Sequence, residues 1–172
     1  GITSTTGCSA ILIGARTLHS YLKLSIKDKT PKQLFNGLSK FPEIKDKLIN
    51  LDVLIIDEIS MLSNRLFEII SNYLSLVRND DRPFGGIQLI LVGDFCQLPP
   101  VQDTFCFISD EWTRLNPSVI NLNTLVRQEG DTKFQELLER ARMGLITDDD
   151  VTLLQGCKKR EDIDYICLCS TN

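Results

Sequence analysis

Two short apolar runs on either side of an amphipathic segment constrain the fold of this chain more than any other feature of its sequence. Residues 51–56 (LDVLII) and 87–92 (IQLILV) are rich in Leu, Ile and Val and barely alternate. This pattern predicts parallel strands that are buried on both faces. Between them, apolar residues recur at helical spacing after the candidate cap Ser63, and the helix is expected to end at residues 79–83. The sequence therefore predicts a right-handed strand, helix, strand unit.

The rest of the chain continues this pattern. Residues 119–122 predict another strand, and the apolar spacing over 134–141 predicts a helix that Gly144 closes. The acidic run 148–150 suits the first turn of a helix better than a metal site, and a last strand is expected at 165–169. With 172 residues, 42% of them hydrophobic, the chain can form one compact domain or one domain plus part of a second. The predicted fold class is α/β with a parallel sheet.

A membrane protein and a zinc site are not favoured. No stretch approaches the roughly 18 to 20 apolar residues of a membrane span, and residues 1–7 lack the features of a signal peptide. The six cysteines include no C-x-x-C pair, and there is one histidine, so we expect free thiols in a reducing compartment. Cys167 and Cys169 alternate in a strand-like segment, which leaves metal or redox chemistry open there. We interpret the protein as soluble and intracellular.

Charge is unevenly distributed along the chain. The net charge is −4, but residues 23–47 carry seven lysines against three acidic residues, which gives this basic segment +4 and the remainder −8. A basic segment on an acidic body can supply phosphate contacts. The alternative is a solvated helical surface, and charge alone favours neither interpretation.

Polar residues follow both predicted strands. Asp57 and Glu58 come directly after the first, at the position where open α/β sheets bind ligands. In a nucleotide hydrolase the first carboxylate of such a pair holds Mg²⁺ and the second polarises the attacking water, although a helix cap or a turn is an alternative for the pair alone. Gly93, Asp94 and Gln97 follow the second strand, where glycine permits close backbone approach and glutamine can hydrogen-bond a phosphate. Polar residues at the ends of two neighbouring strands favour a ligand-binding cleft at that edge of the sheet.

The motifs around these strands resemble the Pif-one family of 5′-to-3′ DNA helicases of superfamily one. The resemblance is carried by residues 54–61 (LIIDEISM) and 83–101 (PFGGIQLILVGDFCQLPPV). Residues 6–10 (TGCSA) and 14–20 (GARTLHS) resemble the family's first DNA-contacting motifs, although Cys and Ser stand where small apolar residues are more usual. Residues 125–128 (LVRQ) resemble its fourth motif, and residues 170–172 (STN) resemble the entry to its second motor domain. The resemblance covers nearly the whole chain.

This resemblance implies a fold and a set of partners. It implies a RecA-like P-loop NTPase motor domain at 1–122, with a small inserted wedge subdomain at 21–50 and the start of a second RecA-like domain at 123–172. Tyr21, Phe35 and Phe41 lie in or beside the basic segment, and core packing is favoured over base stacking for these rings. ATP is the implied substrate, Mg²⁺ the cofactor, and single-stranded DNA and duplex junctions the partners.

The resemblance also implies roles for individual residues. Asp57 would bind Mg²⁺, Glu58 would activate water, Gln97 would sense the γ-phosphate, and Arg127 would act as an arginine finger. Asp94 is placed with the nucleotide-binding set. The residues expected to contact DNA are Thr6, Gly7, Thr17, His19 and Ser20.

One element of a working motor is missing from the sequence. A phosphate-binding loop needs a glycine-rich turn followed by Lys and Ser or Thr, and the 172 residues contain no Gly-Lys pair. We therefore expect a fragment that does not hydrolyse ATP alone. The alternatives are a non-catalytic DNA- or partner-binding module and a RecD-like recombination helicase. The Phe84-Gly85-Gly86 run argues against the RecD-like alternative. A nuclear, mitochondrial, cytoplasmic or viral setting fits, with roles in repair, recombination, telomere maintenance or mobile-element replication.

Overall fold

In a computed structural model of the protein, the structure describes residues 1–24, 29–124, 126 and 130–156. The chain divides into two compact units, residues 1–121 and 122–172. The sequence predicts a domain boundary one residue later, and the identity of the second unit as a RecA-like domain remains a prediction. The predicted strand at 165–169, Arg127 and the motif residues 170–172 lie outside the described residues.

Unit 1 is built on a four-stranded parallel sheet in the order β2-β1-β3-β4. The strands are β1 (Ile2–Ser4), β2 (Arg16–Thr17), β3 (Val53–Asp57) and β4 (Gln88–Leu91). Ser4 pairs with both Thr17 and Asp57, and Ile56 pairs with Leu91. Because all four strands are parallel, their carboxyl ends lie along one edge of the sheet.

The helices of unit 1 begin where the sequence supplies caps. They are α1 (Gly7–Leu12), α2 (Leu18–Leu22), α3 (Pro31–Gly37), α4 (Pro42–Ile49), α5 (Asn64–Arg78) and α6 (Asp110–Leu115). A Ser or Thr hydroxyl accepts a backbone N–H at the start of α1, α2, α3, α5 and α6, which satisfies donors that a helix otherwise leaves unpaired. Helix α4 instead begins with Pro42, whose fixed φ suits the first helical position.

Helix α5 lies at the centre of the hydrophobic core and confirms the predicted helix. Ser63 caps it, and Asn79 ends it in the left-handed conformation at φ 52°. Its buried face joins one cluster with β3, whose side chains at Leu54 and Ile56 are fully buried. The Phe67 ring contacts Phe84 and Trp112 at centroid distances of 4.8 and 5.6 Å. The core therefore depends on the predicted strand, helix, strand unit.

The connection from α5 to β4 is a tight structure that we call the PFGG turn (Pro83–Gly86). Phe84, Gly85 and Gly86 all have positive φ, at 55°, 63° and 71°. The Phe84 side chain is buried, and the guanidinium of Arg78 donates to the Gly85 carbonyl at 2.7 Å. The same guanidinium donates to the Leu48 carbonyl at 3.2 Å, beside the end of α4. The turn thus fixes α5 against its neighbours.

The basic segment packs on α5 through helices α3 and α4. Leu34, Leu38 and Leu48 belong to the same buried cluster as α5, so the described part of 21–50 has no separate hydrophobic core. The lysine ammonium groups lie over aromatic rings at Lys23–Phe41 (5.5 Å), Lys45–Phe35 (5.5 Å) and Lys47–Tyr21 (4.2 Å). Tyr21 and Phe35 are used in packing, whereas Phe41 is exposed. The role of this segment as a wedge stays a prediction.

Two expectations about strands are wrong. Strand β4 is not buried on both faces, since Ile90 is 43% exposed and β4 lies at the edge of the sheet, where the described residues give it a single neighbour. Residues 119–122 form no strand, and Val119, Ile120 and Leu122 are 77–89% exposed. A strand needs a hydrogen-bonding neighbour, and no described residue provides one for this run.

The described part of unit 2 is a pair of helices. They are α7 (Thr132–Arg142) and α8 (Asp148–Gly156). Helix α7 is followed by Gly144 at φ 72°, which confirms the predicted helix and its glycine stop. Thr147 Oγ1 accepts from the Asp150 N–H at 3.3 Å, and Asp150 Oδ2 accepts from the Thr147 N–H at 3.0 Å. This reciprocal capping confirms that the acidic run starts a helix.

An ion pair between α7 and α8 predicts an acid-sensitive contact. The Arg140 guanidinium donates to Asp150 at 2.8 and 2.5 Å and, with the Thr147 backbone, holds the pKa of that carboxyl well below its usual value. A lowered pKa stabilises the folded unit above the unfolded value of about 4 and loses this contribution as the pH falls further. We expect amide protection over 132–156, measured by hydrogen exchange, to begin to fall below about pH 5 and to keep falling as the pH approaches the lowered pKa of Asp150. An Asp150→Asn variant, which cannot titrate, should show a much smaller change, and equal pH dependence in both proteins would contradict the assignment.

The described cysteines are free thiols, as predicted, at Cys8, Cys96 and Cys106. Burial raises the pKa of the Cys106 thiol to about 12, so this residue behaves as a small core hydrophobe. None of the helices in the described part of the chain has the length and apolar character needed to cross a bilayer.

Candidate functional site

The acidic pair lies at the carboxyl end of β3 and is held by the segment that follows β1. Asp57 ends the strand, and Glu58 adopts the left-handed conformation at φ 56° and ψ 44°. This conformation is unfavourable for a residue with a Cβ and is concentrated at functional sites. Thr5 stabilises it, because its N–H donates to the Asp57 carbonyl at 3.1 Å and its hydroxyl donates to the Glu58 carbonyl at 2.8 Å. Both acidic side chains are half-buried.

The Asp57 carboxylate is oriented by a hydroxyl group. Ser9 Oγ donates to Asp57 Oδ2 at 2.5 Å, whereas Oδ1 has no hydrogen-bond partner among the described residues. No group of three or more His, Cys, Asp or Glu side chains in the described ranges could enclose a metal ion. A single carboxylate with one open oxygen fits Mg²⁺, which keeps several waters and binds one or two carboxylates together with substrate phosphates.

The loop after β4 lies directly against the acidic pair. The Ile59 N–H donates to the Val92 carbonyl at 3.0 Å. Gly93 has φ 155°, and a Cβ there would lie 2.9 Å from the Ile59 nitrogen and 3.5 Å from the Glu58 carbonyl carbon. Glycine is therefore required at this position, as the sequence indicates. This contact brings the two polar strand ends together.

Asp94 organises the turn that presents Gln97. Its side chain accepts from the Cys96 N–H at 3.0 Å and from the Gln97 amide at 3.5 Å, and its carbonyl accepts from the Gln97 N–H at 2.9 Å. Gln97 is exposed, so its amide is accessible to a ligand at the sheet edge. A nucleotide contact by Asp94 itself stays a prediction.

The predicted DNA-contacting residues follow β1 and β2 at the same edge. The hydroxyl groups of Thr6 and Thr17 cap α1 and α2, each accepting a backbone N–H at 3.2 Å. Gly7, His19 and Ser20 are exposed. The two predicted sets are thus neighbours: the DNA set lies at the ends of the adjacent strands β1 and β2, and the nucleotide set lies at the ends of the adjacent strands β3 and β4.

Sequence reasoning missed the residues that join these sets. Ser4 and Thr5 lie on or just after β1 and hydrogen-bond the backbone of the acidic pair, and Ser9 reaches its carboxylate. The sequence offered one signal, since Ser9 stands where the resemblance places a small apolar residue. The predicted arginine finger, Arg127, lies outside the described residues.

A parallel α/β sheet with an acidic pair, a glutamine and a second polar set along its carboxyl edge fits a RecA-like α/β domain. The model of the PIF1-like helicase family matches residues 2–151. The chain therefore belongs to the PIF1-like helicase family, the family that its motifs resemble.

Individual relatives show how much of the family protein is present. The ATP-dependent DNA helicase RRM3 of Saccharomyces cerevisiae is 37% identical over 171 residues, which is 95% of this chain and 23% of that protein. The Pif1 helicase of Candida albicans superposes with a TM-score of 0.85 at 34% identity, covering 95% of this chain and 39% of that one. A Pif1 helicase from Bacteroides, in complex with ADP-AlF3 and single-stranded DNA, gives 0.80 at 27% identity, covering 98% and 43%. The chain spans less than half the length of each.

Proposed function

We propose that this chain contributes the acidic pair, the phosphate-sensing glutamine and part of the DNA-binding face of an ATP-dependent 5′-to-3′ DNA helicase. The observation that carries the proposal is the single sheet edge on which both polar sets lie, joined by hydrogen bonds from Thr5 and Ser9 to the acidic pair. The Bacteroides relative was solved with ADP-AlF3 and single-stranded DNA, which supports the same pairing of ligands here. Repair, recombination, telomere maintenance or mobile-element replication are the processes such a helicase would serve.

Four residues of the nucleotide set have physically sensible tasks in hydrolysis. Asp57 would hold the hydrated metal ion, and Glu58 would accept a hydrogen bond from the attacking water and take up its proton. Gln97 donates its amide to the γ-phosphate. Mg²⁺, when bound with ATP, offsets the charge that develops on the phosphoryl group. Arg127 is proposed to add a second positive charge when the motor domains close.

The DNA set lies beside the nucleotide set along the same edge of the sheet. Thr6 and Thr17 hold the starts of α1 and α2, and His19 and Ser20 present polar groups to solvent. Phosphate and base contacts by such groups position single-stranded nucleic acid. The lysines of the basic segment that lie at the surface add electrostatic attraction that falls with salt.

ATP hydrolysis measured with single-stranded DNA tests this function. We expect no DNA-stimulated turnover from the 172 residues alone, because no Gly-Lys pair is present to hold the phosphates. A version extended upstream through a phosphate-binding loop should hydrolyse ATP and respond to DNA. Retained DNA binding without turnover in the extended version would favour the non-catalytic binding module instead.

A further inference from the structure

The hydroxyl of Ser9 forms the one side-chain hydrogen bond to the carboxylate of Asp57 among the described residues. We propose that Ser9 is a positioning residue that fixes the Asp57 carboxylate in the orientation in which it receives a hydrated divalent metal ion. This inference rests on the proposed function, and it gives Ser9 a role that the DNA and nucleotide sets do not contain. The hydroxyl does not touch the reacting atoms and acts through Asp57.

A donor is needed because the carboxylate of an aspartate rotates readily. The terminal torsion of Asp is broad, so a carboxylate at the end of a strand has no fixed orientation of its own. Ser9 Oγ lies 2.5 Å from Oδ2, within the short range typical of a hydroxyl that donates to an ionised carboxylate. This bond selects one orientation and leaves Oδ1 as the open metal-facing oxygen.

The donor is itself held in place by the sheet that carries the acceptor. The Ser9 N–H donates to Thr6 Oγ1 at 3.2 Å, and the Thr6 N–H donates to Ser4 Oγ at 3.3 Å. Ser4 pairs with Asp57 in the register of β1 and β3. These contacts hold the backbone of Ser9 next to β1, which places its hydroxyl within reach of the Asp57 carboxylate.

The proposed role depends on the type of residue at position 9. The family resemblance places a small apolar residue at position 9, and such a residue has no donor for a carboxylate. Partners of metal-binding carboxylates typically change metal affinity by roughly 10- to 100-fold when they are removed. A serine here is expected to strengthen and order the metal site relative to an alanine.

Binding of Mn²⁺ in the presence of ADP, followed by electron paramagnetic resonance, tests the proposal without turnover. The experiment uses the full-length protein that contains this segment. Ser9→Ala should weaken Mn²⁺ binding at least about tenfold, and Ser9→Thr, which keeps a hydroxyl, should stay within about threefold of the unmodified protein. Cys8→Ala is the matched control, since Cys8 is the exposed neighbour on the same helix and should leave the affinity unchanged. Thermal melting establishes that each variant is folded.

Each outcome separates this proposal from the proposed function. Weak binding by Ser9→Ala with restored binding by Ser9→Thr supports the positioning role. Equal affinity of Ser9→Ala and the unmodified protein overturns it, and so does equal weakening by Ala and Thr, because the hydroxyl would then be irrelevant. Failure of the unmodified protein to bind Mn²⁺ and ADP overturns the proposed function and this inference with it.

Discussion

A Glu58→Gln variant of the full-length protein that contains this segment is expected to hydrolyse ATP about 100- to 10,000-fold more slowly than the unmodified protein, with little change in nucleotide affinity. Glutamine has nearly the shape of glutamate but cannot accept the proton of the attacking water. The left-handed backbone of Glu58 is held by the Thr5 hydroxyl at 2.8 Å, and the substitution leaves that contact intact. Steady-state hydrolysis with single-stranded DNA, together with binding of a fluorescent nucleotide, measures both quantities.

Glu43→Gln is the matched control for this experiment. Glu43 is an exposed residue in the first turn of α4, it belongs to neither the nucleotide set nor the DNA set, and its substitution by Gln removes the same charge. Hydrolysis by this variant should be close to that of the unmodified protein. Turnover that persists in Glu58→Gln would remove Glu58 from the role of water activation and would leave Asp57 and Gln97 without a base.

Local patterns were sufficient to predict the central unit of the fold. Strand β3, helix α5 and strand β4 were predicted from apolar periodicity, and Ser63 and Asn79 mark the ends of α5 because capping is decided by a few neighbouring atoms. The clustering of the polar strand ends followed from parallel topology alone, since parallel strands share one carboxyl edge. The contact between Gly93 and Ile59 shows this convergence in the structure.

Features that depend on residues far apart in the sequence could not be predicted from local patterns. Residues 119–122 have the composition of a strand but no described neighbour to pair with, and local composition carries no information on pairing. The exposed face of β4 could not be predicted for the same reason, because the burial of a strand depends on which elements pack against it. Ser9 and Asp57 are 48 positions apart, and only the register of β1 against β3 brings them together.

A Gly85→Ala variant is expected to lower the free energy of unfolding by about 2–4 kcal/mol, since the left-handed conformation and the overpacking each cost about 1–2 kcal/mol or more. Gly85 has φ 63°, and an added Cβ would lie 2.7 Å from the Leu74 carbonyl oxygen and 2.8 Å from Arg78 Cδ. The first of these atoms belongs to the backbone of α5 and cannot move aside. The PFGG turn begins one of the motifs that carry the family resemblance. It thus has a structural function. Urea unfolding measures the change, with Trp112 as a probe because it is the single tryptophan and lies 5.6 Å from Phe67.

Gly37→Ala is the control in the same unit, and it is not expected to lower the free energy of unfolding. Gly37 ends α3 with φ −64° and ψ −26°, and an added Cβ would meet no atom within 4 Å. Alanine at a compatible helical position restricts the unfolded chain, so the variant should be unchanged or more stable by up to about 1 kcal/mol. If Gly85→Ala and Gly37→Ala unfold at the same urea concentration, the PFGG turn does not constrain α5. Its glycines would then need another explanation, such as a contact with a partner.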